Sequence, residues 1–389
     1  MISISRLLCD FHSPGDSLRY KDSTLSSIRE SNTAPVVVWN CTSRCNLSCI
    51  HCYASAGEKE LEAEMDTASG KDFIKDLAAF GVPVILFSGG EPLIRNDLLE
   101  LADFAVRQGL RAALSSNGTL ITKDIARELK GIGFAEVGVS LDGTESINDH
   151  FRGKQGAYRA ALEGIRNCIK QGLRVSLRFT ITRFNFKEIP DMFSLAEQEG
   201  IDRICFYHLA YAGRGTTLVN DDIDHNQTRQ VVDTICELTE YLHRRSLPKE
   251  VLTVANHADG VYLYLKLKQN NPERADLVYN LLKRNGGNNS GIRIGAVDPA
   301  GNIHPDQFWW HYSVGNVIQR NFGDIWMDTS DLLMRGMKDR KKLLKGRCGA
   351  CQYLEICNGN LRERAEAVYD DIWAEDPACY LTDKEIGIK

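Results

Sequence analysis

Long hydrophobic runs are missing from this sequence of 389 residues, in which no stretch of 18 or more apolar residues occurs. The sequence therefore predicts no transmembrane helix, and its first residues hold too short an apolar stretch for a secretory signal. A large excess of one charge is missing as well, since the net charge is only -5 at pH 7. Neither nucleic acid nor an anionic membrane is therefore expected as a partner. We expect a globular protein of the cytoplasm, long enough for two or three domains.

Cysteine, in contrast, is plentiful, with 12 residues. Eight of them crowd into the segments 41–52 and 348–379. Cysteines clustered at short spacings in a reducing compartment indicate metal ligands rather than disulfides. The scattered cysteines are expected to be small buried hydrophobic residues. They are Cys9, Cys168, Cys205 and Cys236.

Short β-rich runs alternate with helical patterns between residues 35 and 212. The β-rich runs cover residues 35–40, 83–88, 111–115, 135–141, 174–181 and 203–209. This alternation predicts an α/β fold with a parallel sheet and helices outside it. Six strands rather than eight indicate a partial (β/α)6 barrel of the TIM type. Functional residues are expected at the carboxyl ends of its strands, as in complete barrels.

The chain is predicted to divide into four segments. Residues 1–32 are polar and poorly patterned, and we expect them to form an N-terminal arm or a lid. Residues 33–212 form the barrel, and residues 213–290 form a helical linker region. Residues 291–389 begin with a β-hairpin around the turn 298–302 and continue as a cysteine-rich domain.

The first cysteine motif has the spacing C-x3-C-x2-C and consists of Cys45, Cys49 and Cys52. Three thiolates on a tight loop can hold three irons of a [4Fe–4S] cluster and leave the fourth iron open, as a catalytic metal requires. Cys41 could close the cluster as a fourth ligand, although its place at the end of a strand favours a packed residue. A structural zinc site is the alternative, with His51 as a further ligand.

The run CNLSCIHCY, residues 45–53, resembles the signature of the radical S-adenosylmethionine (SAM) superfamily. The segment Ser88-Gly89-Gly90-Glu91-Pro92 strengthens the resemblance, because such a segment binds the amino group of SAM in that family. The resemblance also implies that Arg178 lies near the SAM carboxylate, and that Ser140 and Asp142 lie near the ribose. The full set of residues implied for SAM binding is Gly89, Gly90, Glu91, Ser116, Asn117, Ser140, Asp142, Arg178 and Tyr207.

The second cysteine motif has the spacing C-x2-C-x5-C, followed later by a fourth cysteine. Four ligands can close a cluster fully, which suits a structural or electron-transferring role; zinc is again the alternative. The spacing resembles the auxiliary-cluster extension called the SPASM or twitch domain, but lacks the further cysteines of the full SPASM pattern. It therefore implies one auxiliary [4Fe–4S] cluster, with Asp306 as the alternative to the last cysteine. The implied ligands are Cys348, Cys351, Cys357 and Cys379.

Segments 11–20, 304–312 and 373–383 resemble one branch of the superfamily, the tetrapyrrole-modifying proteins. This resemblance implies an iron tetrapyrrole substrate and removal of acetate side chains from 12,18-didecarboxysiroheme to give iron-coproporphyrin III. Action on the propionate side chains of didecarboxysiroheme, as in heme d1 biosynthesis, is the alternative. Such a substrate needs apolar walls, basic anchors and, for its iron, an imidazole. The candidate substrate residues are Arg19, Arg214, Arg293, His304, Trp309 and His311, with Lys21, Arg152, His208, His257, Phe308, Trp310 and Tyr312 as further possibilities.

The chemistry implied by the resemblance starts with one electron passing from the reduced cluster to SAM. The resulting 5′-deoxyadenosyl radical removes a hydrogen from a carboxylate side chain of the substrate. An electron donor such as ferredoxin or flavodoxin is then an expected partner. Two rival hypotheses remain, a peptide-modifying enzyme with an auxiliary cluster and a non-catalytic binding protein stapled by zinc.

Overall fold

The computed structural model describes residues 1–20, 34–58 and 63–388. They form an 11-stranded sheet in the order β1-β8-β7-β6-β5-β4-β3-β2-β9-β10-β11. The strands are β1 Ile2–Ser3, β2 Val36–Asn40, β3 Val84–Ser88, β4 Arg111–Ser116, β5 Glu136–Ser140, β6 Val175–Ile181, β7 Arg203–His208, β8 Glu250–Val254, β9 Ile294–Val297, β10 Asn302–His304 and β11 Gly315–Asn316. The predicted α/β fold is thereby confirmed, and all six predicted strands are present as β2 to β7.

The parallel part of the sheet is longer than predicted. Strand β8 pairs parallel with β7, and β9 pairs parallel with β2. The two added strands stand at opposite ends of the parallel row, so the barrel remains open between them. Strand β8 lies inside the region 213–290, where the sequence predicts only helices, because its five residues are flanked by two long helical patterns.

Helices cover the outside of the sheet and continue into the C-terminal region. They are α1 Ile4–Cys9, α2 Asp16–Arg19, α3 Thr67–Phe80, α4 Leu98–Arg107, α5 Lys123–Ile132, α6 Glu145–Arg152, α7 Ala157–Lys170, α8 Ile189–Gln198, α9 His225–Arg244, α10 Ala258–Asn270, α11 Pro272–Asn285, α12 Phe322–Met327, α13 Leu332–Lys338, α14 Gly346–Ala350, α15 Leu354–Cys357, α16 Arg362–Tyr369 and α17 Asp383–Ile386. Their ends follow local signals: Asp66 accepts a hydrogen bond from the backbone N–H of Ser69 at 2.8 Å and so caps α3. None of the helices in the described ranges is both long and apolar enough to cross a bilayer.

The start of the chain is part of the barrel rather than a free arm. Strand β1 pairs antiparallel with β8, and Ile2, Ile4 and Leu7 are completely buried. Within the predicted segment 1–32, residues 21–32 lie outside the described residues, as does the candidate anchor Lys21. The predicted hairpin is present as β9 and β10, which pair antiparallel around the turn.

The opening between β8 and β9 is spanned by residues 357–364, called the seam segment here. Arg364 donates to the carbonyl oxygens of Leu209 at 3.0 Å and Ala255 at 2.7 Å, just after β7 and β8. On the other side, Asn358 donates to the carbonyl oxygen of Asn288 at 2.7 Å, shortly before β9. Side chains of the C-terminal region therefore complete the barrel wall that the strands leave open.

Candidate functional site

The three cysteines of the first motif lie on the loop after β2 and line one cavity at the carboxyl ends of the strands. The cavity has a volume of about 200 Å³. Burial raises the pKa of Cys45 to about 12 and also raises the pKa of Cys49. A buried thiol of this kind keeps its proton until a metal cation takes the proton's place. The donor set of Cys45, Cys49 and Cys52 thus suits a thiolate-bound cluster that faces the cavity.

Two arginines hold this cysteine loop. Arg214 donates to the carbonyl oxygens of Cys49 at 2.6 Å and Ala56 at 2.9 Å. Arg152 donates to the sulfur of Cys49 at 3.6 Å and forms an ion pair with Asp142. Both were candidate substrate anchors, but their guanidinium groups are occupied by the loop because backbone oxygens, a sulfur and a carboxylate surround them. Their structural role is to fix the cysteine loop on the barrel.

Glycine lets the segment after β3 pack directly against the cysteine loop. The N–H of Gly90 donates to the carbonyl oxygen of Thr42 at 2.7 Å, and the N–H of Glu91 donates to that of Arg44 at 2.8 Å. A Cβ atom on Gly90 would lie 2.0 Å from the carbonyl oxygen of Arg44. Only glycine fits this contact, so the Gly-Gly pair brings two cavity walls together.

Most of the residues predicted to bind SAM line the same cavity as the cysteines. They are Gly89, Gly90, Ser116, Asn117, Ser140, Arg178 and Tyr207. Glu91 and Asp142 are absent from the wall, because both side chains are completely buried behind it. Glu91 accepts hydrogen bonds from the Ser116 hydroxyl at 2.8 Å and the Asn117 N–H at 2.7 Å. Burial raises the pKa of Glu91 to about 7. Its carboxyl group binds the end of β4 and does not face the cavity.

Arg178 is the cationic group best placed for a ligand carboxylate in this cavity. Its guanidinium donates to the Ser115 hydroxyl at 2.6 Å, while its Nε atom is buried without a partner. No carboxylate among the described residues forms an ion pair with it. Gly138 makes room for it, since a Cβ there would lie 2.2 Å from Nε. A glycine inside a strand was a signal of such a close approach that the sequence reasoning did not use.

The four cysteines of the second motif surround a separate, small cavity of about 20 Å³. Cys351 accepts a hydrogen bond from the N–H of Tyr353 at 3.3 Å, and Arg362 donates to the sulfur of Cys348 at 3.9 Å. Asp306 lies elsewhere, bound to Ser290 and to the N–H of Phe308. Cys379, rather than Asp306, therefore shares the space with the other three cysteines. Cys41 is likewise away from the first cluster loop, packed at the end of β2 with its thiol donating to the carbonyl oxygen of Ser88.

A larger chamber inside the barrel adjoins the cavity that Cys45, Cys49 and Cys52 line. Its volume is about 340 Å³, and the two spaces share Leu86, Arg178, Gln307 and Phe308 as wall residues. Its basic residues are Arg19, Arg111, Arg174, Arg178, Arg203 and Arg293. The sequence did not predict Gln307 as a wall residue. Its Oε1 atom is buried without a hydrogen-bond partner.

Glu250, at the start of β8, lies between three of the chamber's arginines. It forms ion pairs with Arg19 at 2.6 Å, Arg203 at 2.6 Å and Arg174. Within the described part of the chain, Arg111, Arg178 and Arg293 form no ion pair, so these cations remain for a carboxylate ligand.

Three of the substrate candidates, His304, Trp309 and His311, lie away from both spaces. His304 is buried with Nδ1 against the carbonyl oxygen of Tyr312 at 2.8 Å and Nε2 near Asp298 at 3.3 Å. Trp309 packs against Leu333 in a small core, and His311 forms an ion pair with Glu366 at the surface. The prediction that His304, Trp309 and His311 contact the substrate is not supported, because neither cavity reaches them. Arg19 and Arg293 do line the chamber.

No three His, Cys, Asp or Glu side chains within residues 1–20, 34–58 and 63–388 converge closely enough to bind a single metal ion. Each cysteine set instead surrounds a cavity. An iron–sulfur cluster is larger than one ion and is held by thiolates around it. Both cysteine sets therefore fit a cluster, the first with three ligands and the second with four.

A three-cysteine loop at the carboxyl end of a parallel barrel, next to a Gly-Gly-Glu segment, is the site of a radical SAM protein. The family model described as the Radical SAM superfamily matches residues 39–196. The chain is 55% identical to the Fe-coproporphyrin III synthase of Methanosarcina barkeri, over 100% of this chain and 99% of that protein. The chain therefore belongs to the radical SAM superfamily.

Within the superfamily, the chain falls in the tetrapyrrole-modifying branch. It is also 42% identical to the pre-heme d1 synthase of Dinoroseobacter shibae, over 92% of this chain and 89% of that protein. Among solved structures, SuiB of Streptococcus suis bound to S-adenosylmethionine superposes with a TM-score of 0.69 at 17% identity, covering 90% of this chain and 78% of that one. This last likeness shows the shared fold.

Proposed function

We propose that this protein is a radical SAM enzyme of heme biosynthesis that removes acetate side chains from 12,18-didecarboxysiroheme to give Fe-coproporphyrin III. The observation that carries the proposal is the 55% identity to Fe-coproporphyrin III synthase, which extends over the full length of both proteins. The identity to the pre-heme d1 synthase is lower, at 42%. Acetate removal is therefore favoured over a reaction at the propionate side chains.

The first cluster is held by Cys45, Cys49 and Cys52, and SAM lies in the cavity that they line. Bound together, the reduced cluster and SAM supply a 5′-deoxyadenosyl radical, which is the reagent for hydrogen abstraction. The chain's own contribution is to orient SAM: Arg178 offers its unpaired guanidinium to the SAM carboxylate. Arg152 and Arg214 keep the cysteine loop in place. The second cluster is held by Cys348, Cys351, Cys357 and Cys379.

The adjoining chamber binds the tetrapyrrole. Apolar wall residues such as Leu86, Val254 and Phe308 suit the flat macrocycle, and the unpaired Arg111 and Arg293 suit its carboxylates. The shared wall of the two spaces brings a substrate side chain next to SAM. A small redox protein such as ferredoxin or flavodoxin supplies the electron.

The proposal is tested by incubating the anaerobically purified, reduced protein with SAM and 12,18-didecarboxysiroheme. We expect mass spectrometry to show loss of the acetate side chains together with formation of 5′-deoxyadenosine. Cys45→Ala should abolish both products, because three protein ligands are needed for the first cluster. Cys9→Ala is the matched control, since Cys9 lies in α1, outside both cysteine sets.

Three outcomes would contradict the proposal. Products altered at the propionate side chains would assign the alternative reaction. Modification of a peptide with indifference to the tetrapyrrole would place the protein with the peptide-modifying enzymes. Colourless protein that contains zinc and no iron would show that the cysteines form structural zinc sites and take no part in catalysis.

A further inference from the structure

The segment 304–312, which follows β10, contributes Gln307 rather than its histidines to the two spaces inside the barrel. Gln307 lines both the cavity of the three cysteines and the larger chamber. Among the four wall residues that the two spaces share in the described chain, Leu86 and Phe308 are apolar, and Arg178 and Gln307 are polar. A ligand group that reaches from the chamber towards SAM therefore passes Gln307.

The backbone on both sides of Gln307 is held in place. Asp306 accepts a hydrogen bond from the N–H of Phe308 at 2.8 Å. The carbonyl oxygen of Gln307 accepts one from the indole N–H of Trp310 at 2.9 Å. The ring of Phe308 packs edge-on against that of Tyr53, the residue after the third cysteine, with 5.6 Å between the ring centroids. These contacts fix the position of Gln307 relative to the cysteine loop.

The carboxamide of Gln307, in contrast, has no partner. Its Oε1 atom is buried without a hydrogen bond, and its Nε2 atom remains accessible and bonds to none of the described residues. Polar groups in a protein interior are normally paired. A carboxamide supplies two N–H donors and one acceptor oxygen, so this side chain offers unused hydrogen bonds at the junction of the two spaces.

The unpaired arginines of the chamber stand further from the cysteine loop than Gln307 does. Arg111 is the first residue of β4, and Arg293 comes directly before β9. Both strands run parallel to β2, whose carboxyl end leads into the cysteine loop. Leu86 and Arg178, which share the wall with Gln307, lie in the middle of β3 and β6. A macrocycle whose carboxylates bind Arg111 and Arg293 therefore turns its opposite edge towards the junction.

We propose that Gln307 holds the acetate side chain that reacts, by donating an amide N–H to its carboxylate. The inference rests on the proposed function, because it requires a substrate with acetate side chains. Arg178 serves the carboxylate of SAM, and Arg111 and Arg293 bind propionates away from SAM. Gln307 thus determines which side chain lies beside SAM. A single amide binds a carboxylate more weakly than a bidentate guanidinium does, which allows the detached acetate to leave.

The experiment is a binding cycle with two proteins and two ligands. Anaerobically purified protein, with SAM bound and both clusters left oxidised so that no turnover occurs, is titrated with 12,18-didecarboxysiroheme and with Fe-coproporphyrin III, which lacks the acetate side chains. Gln307→Met keeps the length of the side chain but has no N–H donor. It should bind didecarboxysiroheme about tenfold more weakly than the wild type, which corresponds to about 1.4 kcal/mol. It should bind Fe-coproporphyrin III as tightly as the wild type does.

A second measurement uses the reduced enzyme and compares acetate removal with 5′-deoxyadenosine formation. In Gln307→Met the acetate side chain is no longer held, so acetate removal should fall by about 10- to 100-fold, and 5′-deoxyadenosine formation should fall less. Gln319→Met is the matched control, because Gln319 is exposed after β11 and lines neither space. Iron content and SAM binding of each variant report whether it has folded.

Equal weakening of both ligands in Gln307→Met would overturn the inference, since the lost contact would then not involve the acetate. Unchanged binding of didecarboxysiroheme would overturn it as well. Weaker binding of SAM in the folded variant would assign the amide to SAM or to Arg178 instead. Failure of the proposed function looks different, because the wild type itself would then remove no acetate from didecarboxysiroheme.

Discussion

Gly90 offers a sharp test of how the barrel holds the first cluster loop. In Gly90→Ala, the new Cβ would lie 2.0 Å from the carbonyl oxygen of Arg44 and 3.1 Å from that of Ser43. Both atoms belong to the backbone, so no side chain can rotate away. The loop must move by roughly 1 Å or more to restore van der Waals contact.

That movement breaks the two hydrogen bonds that join the loop to the Gly-Gly-Glu segment, at 2.7 and 2.8 Å. Each contributes about 1 kcal/mol, and overpacking of a tight contact costs about 1–3 kcal/mol. We therefore expect the loop to be destabilised by about 3–5 kcal/mol. The matched control is Gly131→Ala in α5, where nothing lies within 4 Å of the new Cβ; a small gain of about 0.5–1 kcal/mol is expected there.

The assay is iron per chain after anaerobic reconstitution, combined with SAM binding by equilibrium dialysis. Two [4Fe–4S] clusters give about eight irons per chain. Gly90→Ala should retain about four, held by the second set of cysteines, and should not bind SAM. If Gly90→Ala takes up as much iron and binds SAM as tightly as the wild type, the reasoning from the backbone contact is refuted.

Further predictions concern the ion pairs of Glu250, the second set of cysteines and the guanidinium of Arg178. Burial alone would raise the pKa of Glu250, but Arg19 and Arg203 lower it from 4.5 to about 2; Glu250→Gln should therefore reduce the free energy of unfolding at pH 7 by about 3 kcal/mol. This difference from the wild type is complete above about pH 5 and shrinks as the pH falls from 4.5 towards 2, which denaturant unfolding at several pH values can check. Cys357→Ala should lose about four irons while SAM binding survives; loss of SAM binding as well would contradict the separation of the two sites. Gly138→Ala should displace the Arg178 guanidinium and weaken SAM binding about tenfold without loss of iron; unchanged SAM binding would show that Arg178 does not contact SAM.

The parts that the sequence predicted well are those encoded locally. The spacing of Cys45, Cys49 and Cys52 requires a tight loop, and the alternation of β-rich and helical runs requires a parallel sheet. Strand β8 escaped prediction because its residues, Glu250–Val254, are too few to show a period between long helices. Its pairing with β7 is decided by the tertiary fold.

Residue roles that depend on distant partners could not be read from the sequence. Glu250 meets Arg19 and Arg174 only because the fold brings α2 and the residue before β6 to the start of β8. Trp309 was predicted as an apolar wall of the substrate site and His311 as an iron ligand. In the fold, the chain after β10 places Trp309 in a separate small core and His311 at the surface. Composition identifies suitable side chains, whereas only the fold decides which of them face a cavity.

The open seam between β8 and β9 has a consequence for how this enzyme and its relatives can diversify. The strands that carry the cysteine loop are joined to their neighbours by backbone hydrogen bonds along their length. The seam segment is joined to both edges by individual side chains such as Arg364 and Asn358. Exchanges at seam positions other than Cys357, such as Leu361 on the chamber wall, can therefore change the chamber while the strands that carry the cysteine loop stay as they are.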